Sequence, residues 1–402
     1  MSDQGESFVL ERYDSIDQLT GMGYGQVADT ENLFVSSRWL RLEERVSRDK
    51  PFYLTVRNQE GSLMSALPCF LLDDRSAGSP FIRLDTFLAG LLPEPVRGDV
   101  SGTDLAKSTL PTLLCGGRRT SHTAAPIRPG LTAPERHAVL AAAVRELDRL
   151  AEDLGAASTA FLYVAENDHS LRDCLSTNGY TEFPSHRNHM LTVPADGFDG
   201  YLKSVSKRRA QAIRREERRL DAAGVVAAVE RCTSPVIREL APLQQAHELK
   251  YGVTIEVEHL VARHEQAREV FGDDYLVATA RTRDGTLRGF TTFIPAGHTI
   301  HVREPGREYG WEPSLPIYFQ TVFYTPIRHA VSHGFQYIDY SISAEETKKS
   351  RGCESQPRFA YVKFAESRRR APEGTLRTVL RALADTGRPA PETSRTGQPT
   401  EG

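Results

Sequence analysis

The chain has 402 residues, 50 Lys and Arg against 53 Asp and Glu, a net charge of -3, and 39% hydrophobic and 26% charged residues. That length exceeds one small core and suits two domains of roughly 150 to 180 residues plus tails. Charge this close to balance excludes a global pull toward nucleic acid, so any such contact needs a local patch. No basic start leads into an apolar stretch, and nowhere do roughly 18 apolar residues run together. Neither a signal peptide nor a membrane span is expected, and the protein is expected in the cytoplasm. The five cysteines (Cys69, Cys115, Cys174, Cys232, Cys353) are scattered, without Cys-x-x-Cys or a histidine at metal spacing. They read as reduced, mostly buried thiols, and no metal is expected.

Ser36 or Ser37 can cap a helix running through Leu42 and Val46. A hairpin follows, with strands at 51–57 and 62–72 around the turn Asn58-Gln-Glu-Gly61. The Gly/Pro-rich stretch 77–131 reads as loops and short strands. A long helix is predicted from Pro134 to about Leu154, then a buried strand over 159–164, a helix from Asp168 to Thr177, and a turn at Gly179 into a closing strand. After a basic helix the order repeats: strand 225–229, helices 235–250 and 258–271, and a second hairpin turning on Asp284-Gly285. Strand 298–303, a helix over 314–333 interrupted near Pro326, strand 337–341, a short helix 344–350 and closing strand 358–364 complete it. A duplicated α/β unit explains the repetition. From Ala371 the composition is that of a disordered tail.

The most charged stretch lies between the repeats. Lys203, Lys207, Arg208, Arg209, Arg214, Arg215, Arg218 and Arg219, with only Glu216 and Glu217 in opposition, give about +6. Free of Gly and Pro, the run is predicted helical over 203–220, with a narrow apolar stripe at Ala210, Ile213 and Leu220 and Gly224 as its stop. Either polyphosphate meets this face, as a nucleotide or an RNA backbone, or water solvates it with the two glutamates as partial neutralisers.

A second concentration of chemistry falls at the last strand and helix. Lys348 and Arg351, three apart, share a helix face just beyond a buried strand, where open α/β sheets form ligand crevices. A cation pair there could hold an oxyanion or a phosphate, or be a surface pair served by Glu345 and Glu346. Asp339 alternates with apolar neighbours in Tyr337-Ile-Asp-Tyr-Ser. It could accept a proton from an attacking amine, or simply bond backbone or Arg303. His301 and Arg303 share one strand face. Tyr318 and Tyr324, six apart, need not both line a pocket. His247, His259 and His264 read as surface or core fillers, and Cys353 as packing.

The hairpin turning on Asp-Gly, then strand, helix-Gly-strand, given twice, resembles the GNAT acyltransferase superfamily in its tandem form. The resemblance is closest to Fem-type ligases and actinobacterial "GNAT family N-acetyltransferase" relatives. It is carried by Phe34-Val-Ser-Ser-Arg-Trp39-Leu40, by Ser206 to Gly224, and by Ile317 through Gly334 to Glu346-Thr-Lys348-Lys-Ser-Arg351-Gly352. The resemblance implies an α/β (α+β) architecture of two GNAT-like domains with mixed central sheets flanked by helices. These are residues 1–195 and 196–370, followed by the tail 371–402. It further implies amide formation by direct acyl transfer, with Lys348, Arg351, Asp339, Arg303 and Tyr318 as catalytic candidates. Neither repeat carries the Arg/Gln-x-x-Gly-x-Gly/Ala loop that cradles the pyrophosphate of acyl-CoA. Fem-type ligases also lack it and take their acyl group from aminoacyl-tRNA, so the resemblance implies aminoacyl-tRNA as cosubstrate, its phosphates on Lys203, Lys207, Arg208, Arg209, Arg214 and Arg215, and as acceptor a small-molecule amine of a secondary metabolite or cell-wall precursor. No resident cofactor is expected. Acyl-CoA as donor, and a non-catalytic RNA-binding module, are the alternatives.

Overall fold

Among the described residues, fourteen strands alternate with helices, and the order in which they pair decides where the chemistry can sit. The structure is a computed structural model and describes residues 8–28, 31–77, 79–366 and 374–386. Six strands come first: β1 (Val9–Tyr13), β2 (Phe52–Arg57), β3 (Leu63–Leu72), β4 (Thr112–Cys115), β5 (Ser158–Ala165) and β6 (Thr181–Pro184). Then come β7 (Asn188–Thr192), β8 (Val225–Arg231), β9 (Leu276–Thr282), β10 (Leu287–Ala296), β11 (Thr299–Arg307), β12 (Tyr337–Asp339), β13 (Glu354–Gln356) and β14 (Arg358–Phe364). They form two seven-stranded mixed sheets, ordered β1-β2-β3-β4-β5-β14-β6 and β13-β7-β12-β11-β10-β9-β8. Helices flank both, which is the tandem GNAT-like arrangement.

In the first unit, which holds residues up to Asn188 and the segment from Gln356, the predicted hairpin pairs β2 with β3 from Phe52↔Cys69 to Arg57↔Leu63. Ser36 caps the helix Ser37–Val46, its Oγ accepting from the Trp39 N–H. The helix Ala133–Asp153 starts at a capping box between Thr132 and Glu135 and buries Val139, Ala142, Ala143 and Leu147 of the apolar stripe expected there, while Leu150 and Leu154 at its end are only partly buried and Ala151 is buried in their place. The stretch 77–131 departs from expectation. It contains helices Leu84–Leu91 and Gly102–Thr109, because Leu84, Leu88 and Leu91, and then Leu105, supply buried faces that the surrounding glycines and prolines obscure.

Two further corrections concern the C-terminal segments. β14, read from sequence as the closing strand of the second repeat, instead pairs antiparallel with β5 and β6 of the first sheet. β7 in turn pairs with β12 of the second, so the sheets exchange strands across the boundary expected at 195/196. The expected structureless tail carries the helix Gly374–Thr386, which buries Leu376, Val379 and Leu383. Those side chains recur at helical spacing within a polar composition, and the rest of the tail lies outside the described residues.

The second unit, His189–Ser355, follows the predicted order. Its helical stretch ahead of β12 is interrupted as expected: a π-turn over Gln320–Tyr324 precedes the helix Thr325–His333. Pro326 lacks an N–H and would crowd the carbonyl four residues back, and the widened turn relieves this. Gly334 ends the helix in the left-handed conformation, φ 75°. On β11, Gly306 lies where a Cβ would meet the Phe290 ring and, at 2.8 Å, both Gln244 N and Leu243 C of the helix Ser234–Lys250. Backbone cannot step aside as a side chain can. Gly306→Ala is expected to lower unfolding free energy by about 1–3 kcal/mol, read as the urea midpoint; an unchanged midpoint would contradict this packing.

Candidate functional site

β11 and β12 run parallel for only three rungs, Thr299↔Tyr337, Ile300↔Ile338 and His301↔Asp339. β12 then stops, while β11 continues to Arg307 held by β10. The strands part at the C-terminal end of β12, and this place, where open α/β sheets bind ligands, is called the crevice below. A β-bulge lies beside it. Val302 pairs with Phe293 and Pro305 with Thr291, leaving Arg303 and Glu304 opposite Thr292 alone, and the extra residue re-aims both side chains. At the last rung, His301 Nδ1 lies 3.2 Å from Asp339 Oδ2, and Asp339 Oδ1 accepts from the Ser341 N–H at 2.8 Å. Both side chains are buried. With Nδ1–H turned to the carboxylate, Nε2 is the basic nitrogen.

Beyond Asp339 the chain turns through Ser341, Ser343 and Ala344, all non-glycine residues at positive φ (59°, 67° and 51°). Each such residue costs about 1–3 kcal/mol of backbone strain. Lys348 offsets it. Its Nζ donates to the carbonyls of Tyr340 (2.8 Å), Ser341 (3.2 Å) and Ile342 (2.6 Å), and the side chain is 8% exposed. An ammonium has three N–H groups, and three carbonyls take them. Lys348 therefore holds the loop, which leaves it no donor for an oxyanion. Glu345 and Glu346 pair with Lys349 instead.

Arg351, the residue that caps the C-terminal end of the helix Glu345–Ser350, is buried. Its Cζ stands 3.5 Å from the Phe319 ring centroid and 5.2 Å from that of Phe323. Tyr318 is half-buried beside His247, the two rings 6.4 Å apart and near parallel, and burial pushes its hydroxyl up to about 12. It is a proton donor at neutral pH. Tyr324 is fully buried, its hydroxyl bonded to Glu216, so of this pair only Tyr318 is partly exposed. Arg303 reaches Glu304 at 3.5 Å, and Arg263 reaches it at 3.9 Å. Burial acts to raise the Glu304 pKa, but Arg303, Arg263, His264 and His247 outweigh it and the net shift is downward. Glu304 is thus an anion balancing the crevice cations. Cys353 is buried and its thiol pushed up to about 12 by burial, with no thiolate to offer.

The basic run forms two helices where one was predicted. Lys203 belongs to Gly197–Ser204, and Ser206 then caps Lys207–Ala222 by accepting from the Arg209 N–H at 3.2 Å. Ala210, Ile213 and Leu220 are buried as expected. The two acids face inward: Glu216 takes the Tyr324 hydroxyl, with Arg209 at 4.0 Å, and Glu217 takes Arg328 at 2.6 Å. Lys207, Arg208, Arg214, Arg215, Arg218 and Arg219 remain exposed, within a sector of about 140° at about 100° per residue. The glutamates therefore leave this face uncompensated. A cavity of about 630 Å³ lies on the inner side of the helix, among Glu217, Asp221, Val225, Gln320, Arg328 and His329. It does not include the crevice residues.

Sequence reading placed His301 beside Arg303 without seeing Asp339 as its partner, because strand register is a long-range property. Tyr201 and Tyr340, whose buried hydroxyls lack partners, carried no sequence signal at all. His264 proves a core histidine, as expected, with Nδ1 at 2.5 Å from the Tyr275 hydroxyl and Nε2 at 2.6 Å from Gln244 Oε1.

Two measurements test these assignments. Lys348→Met is expected to destabilise the protein by about 3 kcal/mol or more, because three carbonyls lose a charged donor while the strain remains; a melting temperature equal to wild type would contradict the loop-holding role. Burial lowers His264 from 6.5 to about 4. Between those values the unfolded chain binds a proton that the folded chain refuses, so stability is complete above pH 6.5 and falls as pH drops toward 4, by up to about 3 kcal/mol. His264→Gln is expected to flatten that segment of the stability profile, and an unaltered slope would contradict it.

Comparison with known proteins follows the same lines. None of the curated proteins compared with this sequence matches it. Among solved structures, FemX superimposes with a TM-score of 0.59 at 10% identity, covering 90% of this chain and 100% of its own. The C-terminal domain of a putative lysylphosphatidylglycerol synthetase from Agrobacterium fabrum gives 0.50 at 10% identity, with 92% and 95% covered. A tandem GNAT protein from the clavulanic acid biosynthesis pathway gives 0.50 at 11%, with 89% and 98% covered. These likenesses establish the fold. The family model described as peptidoglycan biosynthesis/recognition matches residues 127–373, more than half of the chain, and the protein belongs to this FemAB-like family.

Proposed function

We propose that this protein is a GNAT-fold acyltransferase that forms an amide by moving an aminoacyl group from tRNA to the amine of a small acceptor. The observation that carries this reading is the uncompensated basic face of Lys207–Ala222, in the same unit as the crevice, with both of its glutamates turned inward. A row of exposed cations suits a phosphate backbone and gives salt-sensitive affinity. FemAB-like membership and likeness to FemX support amide-forming chemistry on a cell-wall precursor or related amine.

In this reading the acceptor nitrogen attacks the ester carbonyl at the crevice. The new C–N bond forms, the C–O bond to the ribose breaks, and His301, oriented by Asp339, takes the amine proton and returns it to the leaving ribose oxygen. Arg303 stabilises the tetrahedral oxyanion, and Tyr318 lines the approach. Lys348 positions the loop that orients Asp339. An aminoacyl ester is already activated, so positioning and charge stabilisation suffice for most of the rate.

Purified protein given an acceptor extract with either aminoacyl-tRNA or acyl-CoA separates the donors. The expected result is an amide product formed from aminoacyl-tRNA and abolished by ribonuclease pretreatment of the donor. His301→Gln is expected to lower kcat by about 10²- to 10⁴-fold. Arg208→Glu with Arg214→Glu and Arg215→Glu should raise KM for the tRNA and flatten its salt dependence while leaving kcat near wild type. Product formation from acyl-CoA alone would overturn the tRNA donor. RNA binding without turnover in either case would leave a binding module.

A further inference from the structure

A guanidinium stays charged in a protein, so a buried one needs an anion or a full set of acceptors. Arg351 is 2% exposed. Its hydrogen bonds leave from Nη1 alone, to Thr347 O at 3.3 Å and Ser350 Oγ at 3.4 Å, both long. Nε is sealed from solvent without a partner, and among the described residues no carboxylate forms an ion pair with Arg351. Glu345 is taken by Lys349, and Glu216 by Tyr324. The rings of Phe319 and Phe323 lie over the guanidinium, and its side-on edge, Nε and Nη2, makes no hydrogen bond within the protein.

Two more donors share this setting. The hydroxyls of Tyr201 and Tyr340, residues 0% and 5% exposed, have no partner either. Tyr340 stacks on Phe323 at 4.6 Å, the same ring that Arg351 overlies. The Arg351 charge acts on both phenols, and both belong to one core cluster with Phe323 and Cys353. A buried cation and two buried hydroxyls with nothing to bind are costly unless something binds them.

We propose that Arg351, Tyr201 and Tyr340 form a buried site for a carboxylate. The side-on edge of a guanidinium matches a carboxylate with two parallel N–H···O bonds, and the hydroxyls can donate to its remaining lone pairs. One negative charge neutralises one positive charge. A phosphate monoester near neutral pH brings about -1.5 to -2 and would itself be left partly uncompensated in an aromatic surround. Resting on the acyltransfer reading, the site also names the acceptor class: the transferred group has its own carboxylate tied up in the ester, so the free carboxylate belongs to the acceptor, an amino acid or a peptide end.

The test is the melting temperature of the full chain in sodium acetate against sodium chloride of equal ionic strength, with inorganic phosphate as a third arm. Acetate is expected to raise the wild-type value and to have no effect on Arg351→Met. Without acetate, Arg351→Met is expected to melt above wild type, because it removes a buried charge that lacks a partner. Tyr201→Phe and Tyr340→Phe should each weaken the apparent acetate affinity by about tenfold. The proposal is overturned if Arg351→Met melts below wild type with an unchanged acetate response. Acetate affinities untouched in both phenylalanine variants, or a larger shift from phosphate than from acetate, would also overturn it. None of these readings depends on turnover, so a failed acyltransfer assay leaves the acetate result standing, and the reverse.

Discussion

The bond set of Lys348 is the constraint on which the second unit depends. Strand pairing ends where the backbone leaves the extended conformation. Here the chain leaves β12 through Ser341, Ser343 and Ala344 in a backbone conformation that L-residues resist. The buried ammonium, bonded to the Tyr340, Ser341 and Ile342 carbonyls, makes that departure stable. Because the chain departs there, β11 and β12 part after His301↔Asp339, and the Ser341 N–H is placed to orient the Asp339 carboxylate. A lysine that sequence alone suggests as a catalyst thus shapes the site by spending every donor on backbone.

Charge is sorted with the same economy. The helix Lys207–Ala222 has an inner face carrying Glu216 and Glu217, used on Tyr324 and Arg328. The outer face keeps its cations, so a chain of net charge -3 still presents a strongly positive strip. At the crevice the balance is closer, with Glu304 held ionised by Arg303 and Arg263. Arg351 is the exception, buried on aromatic faces without a counter-ion.

Much of this was legible in the residues, and the parts that were not share a cause. Asp284-Gly285, Gly334, Ser36 and the stripe Ala210, Ile213, Leu220 act locally, and local signals located hairpin, helix ends and the basic helix. The break at Val205 was missed because no Gly or Pro marks it, although Ser206 is a good cap. The placement of β14 was missed because its alternation says strand without saying beside which neighbour. Within the site, the i, i+3 spacing of Lys348 and Arg351 suggested one helix face, but the helix ends at Ser350, and spacing is silent on whether a side chain meets ligand or loop carbonyls. The His301 and Asp339 pairing needed register, and Tyr201 and Tyr340 needed the packed core.

The central claim is that a phosphate-bearing carrier lies along the basic helix and presents its acyl group where β11 and β12 part. A crystal structure with a non-hydrolysable 3'-amide analogue of an aminoacylated terminal adenosine tests it most directly. The account predicts the amide carbonyl beside His301 and Arg303 in the crevice. Density for the analogue in the cavity lined by Asp221 and His329, with the crevice empty, would contradict it.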